Sequence, residues 1–189
     1  MTASAIAARA AQQAAPSTGL LIVVVGGIVE GLALGILQAA WMATRFPGLS
    51  RLWWVVTTVV VAGVGWTLAS APATLGEASG PQPALIVILV AAAGLGMAMG
   101  ALMGAAQALV LRRVVSHPWR WVPISAVAWT PAMVLIFAGA TLPDATWPTA
   151  LVIVVAALTG LAAGAVLGLV SIALMSSLTE PLARGRRRP

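Results

Sequence analysis

Glu30 is the residue in this chain whose type and position could do chemistry. It lies midway along an apolar run and is the only ionisable residue in the middle of any such run. A charged acid at the centre of a membrane helix costs about 2.5–3.5 kcal/mol on insertion scales. Staying protonated avoids part of this cost, because desolvation disfavours the charged form. Three roles stay open: a protonated structural acid, a group that handles a proton, a cation or a substrate, and a contact with another chain.

A partner for Glu30 has to be polar and lie at a similar depth. No Lys, Arg or His lies inside an apolar run to pair with it. Pro131 has no N–H to donate to the carbonyl of Val127, and the adjacent Thr130 offers a hydroxyl. We therefore predict that Glu30 meets the fourth apolar run at Thr130.

Two side-chain amides and one hydroxyl complete the candidate polar site. Gln38 and Gln107 lie near one end of their runs, and Ser171 occupies the corresponding position of the fifth run. We expect the amides to form hydrogen bonds between helices, and a solute site is the alternative. The predicted intramembrane polar site is therefore Glu30, Gln38, Gln107, Thr130 and Ser171.

The remaining reactive residues argue against an enzyme. The chain has no Cys, which excludes disulfides and thiolate metal sites. Its one His lies in a connection, where no second His can complete a metal site. The four acids are spread over different depths and sides, and no Ser/His/Asp set shares one depth. We predict no catalytic residue, no cofactor and no metal. The one histidine is His117, and the four acids are Glu30, Glu77, Asp144 and Glu180.

The elements that carry these side chains are membrane helices. Of 189 residues, 61% are hydrophobic and 7% are charged, whereas a soluble domain is about a quarter charged. Five apolar runs reach the length of about 20 residues that a span needs, and none alternates as a barrel strand does. We predict an all-α integral membrane bundle. Its spans are Leu20–Met42, Leu52–Ala71, Ala84–Leu111, Trp121–Leu142 and Ala150–Leu178.

Segments outside the membrane domain 20–178 are short. Residues 1–19 are Ala-rich with a single charge, Arg9, and lack the basic start of a signal peptide. We predict a short, frayed, extracytoplasmic helix there, and a basic tail over 179–189. Six of the eight Trp residues lie at run ends, where amphipathic rings anchor at the membrane interface. These are Trp41, Trp53, Trp54, Trp119, Trp121 and Trp147.

Arginine placement predicts the orientation. Nine of the ten Arg residues lie in the first connection, the third connection or the tail. Basic loops stay cytoplasmic, so we predict an outside N-terminus and an inside C-terminus in a bacterial cell membrane. Anionic lipids are the expected partners of these clusters, and nucleic acid is not. The nine are Arg45, Arg51, Arg112, Arg113, Arg120, Arg184, Arg186, Arg187 and Arg188.

Glycines recur with one spacing on the first, third and fifth spans. Each strip reads GxxxGxxxGxx followed by Gln or Ser, and its four positions fall within about 80° on a helix. Such strips let helix backbones approach closely in lipid. The pattern predicts parallel helical-hairpin repeats, the third of which lacks its second helix. The glycines are Gly27, Gly31, Gly35, Gly96, Gly100, Gly104, Gly160, Gly164 and Gly168.

We expect the three glycine helices to form an inner core, with the second and fourth spans outside it facing lipid or a partner. The strips could serve packing alone, line a narrow polar pathway, or dock a second protein. The leading hypothesis for the whole chain is a non-enzymatic structural or accessory subunit of a larger membrane assembly. The alternative is a small transporter, or the substrate-binding membrane subunit of one, in which Glu30 handles a proton or cation.

Overall fold

The computed structural model of the protein describes residues 1–11, 14–75, 83–144 and 146–179. The regular structure in these ranges is helical, and the helices carry 3-10 turns at Pro118–Arg120 and Met175–Thr179. Most of the predicted basic tail, and Glu77 in the second connection, lie outside the described residues. The helices are α1 Thr2–Ala11, α2 Pro16–Arg45, α3 Arg51–Leu75, α4 Leu85–Leu111, α5 Trp121–Ala140 and α6 Thr149–Leu174.

Five of these helices, α2 to α6, are long and apolar enough to cross a membrane. Their bounds agree with the predicted spans to within a few residues, which confirms an all-helical, multi-pass architecture. Helix starts follow local chemistry, since Pro16 begins α2 and Pro148 precedes α6, positions where a missing N–H leaves no hydrogen bond unmade. The loop between α2 and α3 turns at Gly48, whose φ of 95° suits glycine.

Each helix packs against the helices next to it in the sequence, and α1 lies against both α2 and α6. The described helices therefore follow one another around the bundle, and α1 closes the circuit. The predicted inner core of the first, third and fifth spans is wrong, because the backbones of α2, α4 and α6 do not approach one another within the described ranges. α3 lies between α2 and α4, α5 lies between α4 and α6, and α1 lies between α6 and α2.

The glycine strip of α2 explains this arrangement, because it packs against α3. A Cβ placed on Gly31 would lie 2.6 Å from the Cβ of Ala62, and one on Gly35 would lie 3.2 Å from the Cβ of Thr58. The indole of Trp66 covers Gly27, the remaining glycine of this strip. Because glycine has no side chain, the α2 backbone at these positions leaves room for side chains of α3 to pack against it.

The strip of α4 packs against α5 in the same order. A Cβ on Gly100 would lie 2.7 Å from the Cβ of Trp129, and one on Gly104 would lie 2.9 Å from the Cβ of Ser125. Gly96 would meet the Cβ of Met133 at 2.8 Å. Both strips therefore join the two helices of a hairpin, and they neither face each other nor line a shared pathway.

Helix α1 is not frayed, which corrects the prediction for the N-terminal segment. It lies along the first half of α2, where Gly19 faces Ala11, and Gly26 faces Ala7 and Ser4. The prediction failed because close packing on glycines in α2 and α6 orders a segment that is too short to form a stable helix on its own.

One end of the bundle holds the largest hydrophobic cluster. Residues from α2, α4, α5, both loops at this end and Leu178 pack around Trp54, which is fully buried. Because the described loop arginines gather here, we name it the basic end. Trp53 and Trp119 are more than half exposed, as expected for interfacial anchors, but Trp54 and Trp121 are buried core residues instead.

Candidate functional site

Glu30 lies at the centre of α2 and is held by the first turn of α1. Its Oε1 accepts hydrogen bonds from the backbone N–H of Ser4 at 3.1 Å and from the Ser4 hydroxyl at 3.0 Å. The ammonium group of Met1 forms an ion pair with the same oxygen. The Glu30 side chain is 19% exposed, so several donors converge on a largely enclosed carboxyl oxygen.

Helix physics accounts for this contact. The first N–H groups of a helix have no intrahelical acceptor, and the positive end of the helix dipole favours an anion. Glu30 supplies both the acceptor and the negative charge for α1. Ser4 was missed from the sequence because a backbone N–H leaves no trace in residue type, although a Ser near a helix start is an ordinary sign of such a contact.

The predicted contact between Glu30 and Thr130 is wrong. The Thr130 hydroxyl instead donates to the carbonyl of Ala126, four residues earlier in α5, at 2.8 Å. This local bond is the usual solution for Thr inside a helix, because it satisfies the hydroxyl without a second helix. The Thr130 backbone lies against Gly96 of α4, on the far side of the bundle circuit from α1.

Gln38 and Gln107 are brought together in a buried amide cluster near the basic end. The Nε2 of Gln107 donates to the Thr58 hydroxyl at 3.0 Å and to the Oε1 of Gln38 at 3.4 Å. The Oε1 of Gln107 accepts from the Nε1–H of Trp121 at 2.7 Å. Gln107 is 1% exposed, so these bonds replace all solvent contacts of its amide.

The cluster uses each glutamine in the same way. The Nε1–H of Trp54 donates to the Oε1 of Gln38 at 3.4 Å, as Trp121 does to Gln107. The two indole rings lie 5.9 Å apart and are tilted by 57°, a favourable aromatic geometry. The cluster therefore ties α2, α3, α4 and α5 together at one level. Both indoles begin the span that follows a glutamine, which is the sequence signal that could have revealed it.

Ser171 joins neither site. It forms no hydrogen bond within the described part of the chain, and it lies on a helix whose glycine strip is largely uncovered. Gly160 faces the side chain of Met1, but a Cβ on Gly164 or Gly168 would meet nothing within 4 Å. The third strip therefore differs from the other two, because no described helix lies against its last two glycines.

Glu30 and the amide cluster are separate sites. Gln38 follows Glu30 by eight positions in α2, which is about 12 Å along the helix axis. No group of three acidic or histidine side chains among the described residues could hold a metal ion. A cavity between α2 and α3 is lined mostly by apolar side chains such as Val60, and a shallow depression on α4 is lined by Val87 and neighbouring apolar residues.

Asp144 caps the loop between α5 and α6, at the end opposite the basic end. Its carboxylate accepts bonds from the Thr146 hydroxyl and, at 2.7 Å, from the Thr146 backbone N–H. These bonds hold the pKa of Asp144 below its ordinary value of 3.8, chiefly through the hydroxyl. The side chain is exposed, so this is a local turn and not a buried charge.

The contacts of Glu30 and of the amide cluster hold helices together. Comparison with protein-family models, with curated proteins and with solved structures finds no match for this chain.

Proposed function

We propose that the protein is a non-enzymatic subunit of a larger membrane assembly and that it binds a transmembrane helix of a partner along the glycine strip of α6. The observation that carries the proposal is the open space over Gly164 and Gly168. A glycine strip in lipid gains little unless another helix packs on it. The strip is therefore a surface that is complete only in a complex.

Equivalence with the other two strips supports this proposal. The strips of α2 and α4 have the same spacing, and each receives the next helix of the chain in the same order. We propose that the three strips belong to three hairpin repeats, and that a partner supplies the second helix of the third repeat. Following the other two repeats, that partner helix runs antiparallel to α6.

The residues around the glycine strip of α6 are suited to packing against a partner helix in lipid. Leu161 is 71% exposed and Leu169 is 68% exposed, so large apolar side chains border the small ones. Ser171 is available to bond a donor on the partner, as Gln38 and Gln107 bond indoles within the chain. We further propose that the basic end faces the cytoplasm of a bacterial cell and contacts anionic lipids.

The test replaces the open glycines with a bulky residue. A Gly164→Leu/Gly168→Leu variant should fold normally, because no described residue packs against these two glycines. In native-lipid discs taken directly from the source membrane, the wild-type chain should migrate within a larger complex and the variant alone. Gly94→Leu is the matched control, since Gly94 is also open to its surroundings but lies on α4. A wild-type chain that migrates alone would end the proposal.

Transport is the second candidate function, and the carboxylate in the middle of α2 favours it. Half-helices whose positive ends point at a polar site near the membrane centre recur in transporters, and α1 has this relation to Glu30. Glu30→Gln in reconstituted vesicles tests it by flux of protons and monovalent cations. Flux that is absent in both proteins, or identical and independent of pH, would remove Glu30 from any transport role.

A further inference from the structure

We infer that α1 lies inside the membrane layer as a half-length helix, anchored on Glu30, and that it competes with the partner helix for the groove between α2 and α6. The first part concerns α1 alone. The second part rests on the proposed function, because it concerns the same glycine strip. Together they assign α1 the role of an internal occupant that regulates access to the strip.

The register between α1 and α2 places α1 in the membrane. Ala11 lies opposite Gly19, Ala7 opposite Gly26, and Ser4 bonds Glu30. The two helices therefore run antiparallel, and α1 covers the eleven or so residues of α2 that precede Glu30, about 16 Å of its length. That is about half of a hydrocarbon core of about 30 Å.

The polar groups of α1 lie where this placement requires them. Arg9, its only charged side chain, is near the outer end and donates to the carbonyl of Trp147 in the α5–α6 loop at 3.4 Å. Ser4, at the inner end, donates its N–H and its hydroxyl to Glu30. Between them lie only Ala and Ile side chains, and Ile6 is half exposed, as suits a surface in contact with lipid.

Helix α1 fills one half of a longer groove. Within the described helices, α2 and α6 are linked through α1 and not by direct backbone packing. Met1 covers Gly160, whereas Gly164 and Gly168, one and two turns further along α6, are open. Removing α1 would extend the open strip from two glycines to three. A full-length partner helix needs that space, so the two occupants exclude each other.

The first experiment measures the depth of α1. The chain has no Cys, so Thr2→Cys and Ala10→Cys each provide one spin-label site on exposed positions of α1. In vesicles, accessibility to oxygen and to a polar nickel complex should place the label at residue 2 about 12 Å deeper than the label at residue 10. Two labels at the level of the headgroups or above would overturn the placement.

The anchor is tested in the same way. Glu30→Gln and Ser4→Ala should each make the label at residue 2 shallower and more mobile, whereas Ser171→Ala should leave it unchanged. A label that keeps its depth and mobility in both anchor variants would overturn the role of Glu30. None of these readings depends on a partner.

The second experiment tests competition. Gly26→Leu should expel α1, because a Cβ there already lies 2.7 Å from Ala7 and 3.3 Å from the Ser4 backbone; Gly94→Leu is again the control. Expulsion should at least double the fraction of chain that migrates in the larger complex. If the label moves and that fraction does not rise, competition is wrong while the partner site stands. If Gly164→Leu/Gly168→Leu also leaves the complex intact, the proposed function itself fails.

Discussion

The side-chain amides of Gln38 and Gln107 meet at 3.4 Å, although 69 residues separate them in the chain. Each also accepts a bond from an indole of the following helix. The contact joins α2 and α4, whose backbones do not approach each other within the described ranges, so the amide cluster stands in for packing between these two helices.

Replacing Gln107 with Leu should destabilise the bundle. The variant loses the bonds to Gln38, Thr58 and Trp121, and interhelical bonds in membranes are worth about 0.6 kcal/mol each. The free energy of unfolding should therefore fall by about 2 kcal/mol, measured by steric trapping or by denaturation in mixed micelles. Ser171→Ala changes the corresponding position of α6, where no bond exists in the described chain, and should have no effect. Equal losses in the two variants would contradict the cluster.

Gly100→Ala should also destabilise the protein, for a steric reason. The new Cβ would lie 2.7 Å from the Ser125 carbonyl oxygen and 2.7 Å from the Trp129 Cβ, and neither can move without the helix. Overpacking of this kind costs about 1–3 kcal/mol. The thermal midpoint in detergent should drop accordingly, while Gly94→Ala, which meets nothing, should match wild type. A stable Gly100→Ala protein would mean that α4 and α5 are further apart.

The sequence was sufficient to predict the membrane-spanning helices but not to predict which helices pack against one another. Apolar length is a property of each segment, so five helices follow from hydropathy alone. A glycine strip predicts that another helix packs closely against it, but it does not predict which helix. Gly31, for example, packs against Ala62 of α3 and not against another glycine strip. The partner of Glu30 was hidden for a related reason, since the backbone N–H of Ser4 is a donor that every non-proline residue possesses.

Trp121→Phe isolates a single indole bond. Phenylalanine keeps an aromatic ring against Trp54 but removes the Nε1–H that donates to Gln107 at 2.7 Å. The loss should be about 0.6–1.7 kcal/mol, the range of such bonds in membranes. Trp119→Phe is the control, because Trp119 is exposed next to it in the sequence. The difference between the variants in denaturation midpoint measures the bond, and no difference would show that it contributes nothing.

The loop turn at Asp144 should respond to pH only in strong acid. Because the pKa of this carboxyl is lower in the folded protein than its ordinary 3.8, the turn is stabilised above that value and loses its stabilisation as the pH falls through the lowered pKa. The carboxyl carbon-13 shift should titrate below 3.8 in wild type and move up towards it in Thr146→Val. Thr141→Val, in the same loop but bonded to Ala138, should leave the titration unchanged.

The orientation of the bundle can be tested because the two ends differ in charge. Arg45, Arg112 and Arg120 lie at the basic end, and moving several guanidinium groups across a membrane is strongly disfavoured. Ser116→Cys at that end should react with a membrane-impermeant maleimide only after cells are permeabilised, whereas Leu142→Cys at the other end should react in intact cells. The reverse labelling would place the arginines outside and would contradict the proposed contact of the basic end with anionic lipids on the cytoplasmic side. It would leave the packing of α1 on α2 untouched, because that contact depends on Glu30 and the glycines and not on which side the bundle faces.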